Sequence, residues 1–147
     1  MVVPPSILIV EDDELVRAFL TRALAGVAGD VSACEDGRSA IAAAQAKPFG
    51  LILLDGLLPD THGIELAKQL VTSTYASSAA ICFVSGMLRH PQPMRSGVSA
   101  LPKPLRVMEL IATATDLLDW HTHAAATELQ GDRLAVLQTL AASLLVT

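Results

Sequence analysis

The chain has 147 residues, 52% of them hydrophobic but only 3% aromatic, and a net charge of -5 at pH 7. That length suits one domain with an aliphatic, alanine-rich core. The acidic balance excludes a nucleic-acid-binding surface, which needs clustered Lys and Arg, and no apolar run reaches the ~18 residues of a membrane span. The opening Met-Val-Val-Pro-Pro-Ser lacks the basic stretch and apolar run of a secretory signal, so a cytoplasmic protein is expected. Cys34 and Cys82 have no CxxC spacing and sit in apolar surroundings, which reads as core packing rather than a disulfide or redox pair.

Along the chain, strand and helix patterns alternate. Ile7 to Val10 reads as a buried strand, and Glu14 to about Val27 as a helix with Val16, Phe19, Leu20, Ala23 and Leu24 on one face. Gly29-Asp30 turns into a short strand, Val31 to Cys34. Asp36-Gly37 opens an alanine-rich helix, Ser39 to Ala46, which Lys47-Pro48 closes. Leu51 to Leu54 is the third strand. A loop, Pro59 to Gly63, leads to a helix from Ile64 to about Thr74 with Leu66, Ala67 and Leu70 inward. Ala79 to Val84 is the fourth strand. Met87 to Ser99 is irregular, because Pro91 and Pro93 forbid a regular helix through its middle. A brief fifth strand, Ser99 to Leu101, precedes Pro102-Lys103-Pro104. Leu105 to Trp120 is then an amphipathic helix with Met108, Ile111, Ala112, Thr115 and Leu118 at helical spacing.

This alternation predicts an α/β fold, a doubly wound parallel sheet covered on both faces by right-handed crossovers. Residues 1–120 form that domain, and 121–147 a helical extension. In the extension Gly131-Asp132 offers an N-cap, and Leu134, Leu137, Leu140, Ala141, Leu144 and Leu145 make an apolar stripe. Such a stripe either folds back on the domain or packs against a second copy as a homodimer. His121 and His123 read as residues of a helix C-terminus rather than a metal site, and His62 and His90 as loop residues.

The apolar strands stop abruptly at carboxylates. Glu11-Asp12-Asp13 follows the first and Asp55 the third, so the topology gathers acids at the carboxyl edge of the sheet, where open α/β sheets bind ligands. Close carboxylates repel at roughly 4 kcal/mol per pair at an effective dielectric near 20. The cluster therefore calls for a divalent cation or a raised pKa. Asp13 fits a helix start favoured by the dipole better than a ligand role.

Glu11-Asp12 with Arg17 downstream, Leu-Leu-Asp55-Gly-Leu-Leu-Pro59 with Gly63, Ser85-Gly86 and Lys103-Pro104 stand in order at the ends of successive strands. Together they resemble the receiver domain of bacterial response regulators, from about Ile7 to Trp120. The resemblance implies a flavodoxin-like five-stranded sheet of order 2-1-3-4-5. It implies Asp55 as phosphoacceptor, Mg²⁺ held by Asp12, Asp55 and the Leu57 backbone carbonyl, and Glu11 acting through water. Ser85 would bond a phosphoryl oxygen beside an open Gly86. Lys103 would pair with the phosphoryl group, with a cis bond to Pro104. The implied partners are a histidine kinase or histidine phosphotransfer protein and a downstream protein target. Self-catalysed phosphoryl transfer and slow self-dephosphorylation are expected rather than enzymatic turnover. The chemistry agrees, since a carboxylate can form an acyl phosphate and positioning, metal and cation supply most of the catalysis.

The sequence departs from that family at several points. Ala100 occupies the position three before the lysine, where receivers usually carry an aromatic switch residue. The Ser85-to-Lys103 segment is short and proline-rich, so the helix normally found there is expected to be short, unwound or mobile. After Trp120 there is room for only one or two helices and no output domain. Leu57 and Met87, two residues after Asp55 and Ser85, are bulky and apolar, which motivates the slow dephosphorylation. A degenerate receiver acting as a phosphorylation-independent interaction module is the alternative reading. An aspartate-nucleophile phosphatase is disfavoured because Leu57 stands where its general acid belongs.

Overall fold

A computed structural model describes residues 5–123 and 130–144. In chain order the elements are β1 (Ser6–Val10), α1 (Glu14–Leu24), β2 (Asp30–Cys34), α2 (Gly37–Ala46), β3 (Leu51–Asp55) and α3 (Gly63–Thr72). They continue as β4 (Ala80–Ser85), β5 (Gln92–Arg95), β6 (Val98–Pro102), α4 (Val107–His123) and α5 (Gln130–Leu144). The sheet order is β2-β1-β3-β4-β6-β5. Its first five members are parallel, which is the expected doubly wound order. None of the helices among the described residues is long and apolar enough to cross a membrane.

The irregular fourth connection resolves into something the sequence reading did not contain. Rather than a helix, Gln92–Arg95 forms a sixth strand, antiparallel to β6 at the sheet edge. Ser96 and Gly97 both adopt positive φ, 50° and 72°, as a two-residue hairpin turn between twisted strands requires. Pro93 is tolerated because β5 is an edge strand, where a missing N–H does not break a ladder. The return from β4 to β6 thus runs in the plane of the sheet and leaves the face above those strands without a crossover helix.

α5 fills that face. Val136, Leu137, Leu140 and Leu144 are buried in one cluster with Leu66 and Leu70 of α3, Phe83 of β4, and Val98 and Ala100 of β6. The apolar stripe therefore folds back on the domain; Leu145 lies outside the described residues. Helix α5 is already formed at Gln130, so Gly131-Asp132 belongs to its first turn rather than to a cap. α2, α3 and α5 cover one side of the sheet, while α1 and α4 close the second core on the other.

Crossover helices run against their strands, but α5 runs with them. Near its start the buried Arg133 donates to the carbonyls of Ser77 (2.6 Å), Ala79 (2.6 Å) and Ser96 (3.0 Å), all at the amino ends of β4 and β6. Its guanidinium also lies 4.8 Å over the Trp120 ring. At the other end Leu144 reaches the carboxyl edge beside Gly56.

Two helix faces differ from the expected ones. α4 buries Leu110, Ala114, Leu117, Leu118 and Trp120, whereas Met108 and Thr115 are exposed. Both stripes have helical spacing, so periodicity alone does not say which one meets the sheet. On α1, Leu20 and Leu24 are buried but Phe19 is exposed. Asp13 caps α1, its Oδ1 accepting from the N–H groups of Leu15 (2.9 Å) and Val16 (3.1 Å).

Candidate functional site

The ends of β1, β3, β4 and β6 bring the expected residues to one edge. Ligand atoms of Glu11, Asp12 and Asp55 all lie within 4.8 Å of one another. Three carboxylates that close are an all-oxygen donor set, which fits a hard divalent cation.

Glu11 directly follows β1, with only 2% of its surface exposed. Its carboxylate accepts from Lys103 Nζ (3.0 Å) and from the Asp13 N–H (3.1 Å). Burial lifts its pKa above the ordinary 4.5, against the pull of those two donors. The Lys103 ammonium also stands 3.6 Å from Asp55 Oδ1. Burial works against that charge, but the Glu11 hydrogen bond and the Asp55 carboxylate outweigh it and hold the Lys103 pKa above 10.5. One lysine thus balances two acids, and its backbone N–H is pinned to the Ser85 carbonyl at 3.0 Å. The Lys103-Pro104 peptide is cis.

Asp55, half-buried at the end of β3, accepts from the Leu57 N–H at 3.4 Å. The following loop is closed by Gly63 N–H donating to the Gly56 carbonyl (2.9 Å) and Leu58 N–H to the Thr61 carbonyl (3.0 Å). Ser85 is buried, and its Oγ accepts from the Met87 N–H at 3.1 Å. A Cβ on Gly56 would lie 3.1 Å from that hydroxyl, so strand ends β3 and β4 are in contact there. Around Gly86 a Cβ would meet nothing within 4 Å, in keeping with an open approach.

Two contributors were not legible as site residues. Arg17, seen only as part of a motif, donates from Nη1 to the backbone carbonyls of Glu11 (2.8 Å) and Asp12 (3.3 Å), clamping the acidic turn from the second turn of α1. Asp60 accepts from the N–H groups of Gly37 (2.8 Å) and Arg38 (3.0 Å), tying the loop after Asp55 to the start of α2. The first spans five and six residues, outside the i,i+4 helix spacing, and nothing local signals the second. His121 and His123 lie in the last turn of α4, where His121 Nδ1 meets the Ser78 carbonyl at 2.7 Å, and both cysteines are free.

Exposed apolar side chains ring this edge: Leu15 in the first turn of α1, Leu57 and Met87 in the loops after Asp55 and Ser85, and Val107 and Met108 in the first turn of α4.

The sequence pattern of the response regulator receiver domain matches residues 7–115. The response regulator receiver protein CpdR of Brucella abortus (strain 2308) is 31% identical over 109 residues, covering 71% of this chain and 89% of CpdR. The chain spans 49% of the length of the next curated relative it matches. Among solved structures, the signal receiver domain of an HD domain-containing protein from Pseudomonas fluorescens Pf-5 is similar at a TM-score of 0.72, over 87% of this chain and 96% of that one, with 16% identity. Chemotaxis response regulator CheY4 of Vibrio cholerae gives a TM-score of 0.64 over 77% and 98%, with 21% identity. At those identities the likeness speaks for the fold.

Proposed function

Because this chain belongs to the response regulator receiver domain family, we propose that it accepts a phosphoryl group on Asp55 and signals by protein contact. The observation that carries this reading is the convergence of Asp55, Glu11, Asp12 and Lys103 at one sheet edge. The donor is a phosphohistidine on a histidine kinase or a histidine phosphotransfer protein. An Asp55 carboxylate oxygen attacks phosphorus and forms a P–O bond. The P–N bond to the donor imidazole breaks, and its electron pair stays on that nitrogen.

Asp12, Asp55 and the Leu57 carbonyl would hold Mg²⁺, with Glu11 acting through water, and the ion would supply neutralisation of charge on the phosphoryl oxygens. Lys103 already balances Asp55 and acts on the incoming group as a point charge. Ser85 donates its hydroxyl hydrogen to a phosphoryl oxygen while its oxygen continues to accept from Met87. The apolar rim of Leu15, Leu57, Met87, Val107 and Met108 offers the donor protein a desolvated landing surface around the acceptor. Leu57 and Met87 neither orient nor admit a hydrolytic water, so the acyl phosphate decays slowly and the chain acts as an acceptor rather than as a turnover enzyme.

Intact-mass measurement after acetyl phosphate and Mg²⁺ treatment tests the reading. The wild type gains one phosphoryl group and Asp55→Asn gains none. An unmodified wild type would favour a phosphorylation-independent module.

A further inference from the structure

Helix α5 roofs the sheet where the fourth crossover is missing, and its two ends are held in different ways. At the amino end Arg133 is locked to the carbonyls of Ser77, Ala79 and Ser96 and stacked on Trp120. At the carboxyl end the contacts are apolar. Leu144 Cδ2 lies 4.0 Å from where a Gly56 Cβ would be, and the Ser85 Oγ lies 3.1 Å from that same point. Gly56 follows Asp55 directly, so the end of α5 lies beside the backbone that carries the acceptor.

We infer that α5 is a phosphorylation-responsive strap: occupancy of Asp55 loosens its carboxyl-terminal half while Arg133 keeps its amino end tethered. The inference rests on Asp55 being the acceptor. Two physical terms give its sign. A helix carries partial negative charge at its carbonyl end, and α5 points that end toward the edge where a phosphoryl group adds about -1.5 to -2 charges. Recruitment of the Ser85 hydroxyl to the phosphoryl group also moves a group that borders the same space beside Gly56 as Leu144 does. Leu88, in the loop leaving Ser85, is buried in the same cluster as Leu140 and Leu144, so a shift of that loop is felt along the helix. The tether limits the movement to the half beyond Leu137.

Coupling of this kind is reciprocal: whatever phosphorylation does to strap docking, docking does in equal measure to binding at the acceptor. The strap is therefore a brake on the occupied state as well as its output.

The experiment uses the full chain, with intact mass read alongside amide hydrogen exchange over residues 137–144. With Mg²⁺ and acetyl phosphate, the phosphorylated protein should lose about tenfold of its protection there. Asp55→Asn should show no change. A phosphorylated protein with unchanged or increased protection over 137–144 overturns the strap and leaves the acceptor reading intact. A protein that gains no phosphoryl mass overturns both. As a second arm, Leu144→Ala shortens the apolar end without touching the acid cluster. By reciprocity it should bind beryllofluoride with Mg²⁺ several-fold more tightly than the wild type, and equal or weaker binding overturns the strap.

Discussion

The backbone of Asp55 lies so close over Gly63 that a Cβ on Gly63 would stand 2.3 Å from the Asp55 carbonyl oxygen. The contact sets the start of α3 directly beneath the acceptor strand. Only a residue without a side chain fits. We predict that Gly63→Ala forces a backbone shift costing about 1–3 kcal/mol, as over-packing does elsewhere. It should also slow phosphorylation by acetyl phosphate, since Asp55 moves with its own carbonyl. Urea denaturation and a phosphorylation time course would check both; a fully stable, fully active variant would refute the close approach.

Lys103 holds a buried carboxylate, Glu11, at 3.0 Å. Lys103→Met should therefore lower stability at neutral pH by about 1–3 kcal/mol, the cost of leaving a buried charge without its partner, reduced because the lysine is partly exposed. Glu11 binds its proton more tightly in the folded state than in the unfolded one. Its contribution thus falls as pH rises from the unfolded value, 4.5, through the raised folded value, and Lys103→Met should steepen that fall. Adding Glu11→Gln should restore most of the lost stability. Denaturation of the single and double variants between pH 4 and 8 supplies the comparison.

Arg133 anchors α5 through three carbonyls and the Trp120 ring. Its replacement by Ala leaves those carbonyls without a donor in a buried site, so a loss of about 3 kcal/mol is expected. Because the chain has one tryptophan, its emission reports on the surroundings of the ring that Arg133 covers and should shift in the variant. A variant with wild-type stability and unchanged emission would contradict the anchoring role.

Asp60 accepts from the Gly37 N–H and then the Arg38 N–H, and these bonds hold its carboxyl below the usual 3.8. The stabilisation is fully present above pH 3.8 and disappears as pH falls through the lowered folded value. The wild type should exceed Asp60→Asn in stability at neutral pH and converge on it in acid. Parallel melting curves down to pH 3 decide this; a gap that persists or widens in acid would exclude the carboxylate link.

Much of the site could be seen in the sequence because a parallel strand buried on both faces leaves a continuous apolar run, and the residue after the run is delivered to the sheet edge. Glu11, Asp55, Ser85 and Lys103 all follow such runs. What escaped depended on pairings between distant segments. Pro91 and Pro93 excluded a helix but did not announce β5, whose pairing with β6 turns on the Ser96-Gly97 hairpin. The α5 stripe declared that it needed burial, but only the missing crossover told where. The Asp60 link spans 23 residues of chain, and no local pattern encodes it.

The helix that roofs β4 and β6 is made after every strand it covers. As a ribosome extrudes the chain, Phe83, Val98 and Ala100 therefore wait uncovered on an assembled sheet until α5 emerges. Translation stalled or cut short before Leu137 would leave a folded platform with one sticky side, a natural client for chaperones and a seed for clumping.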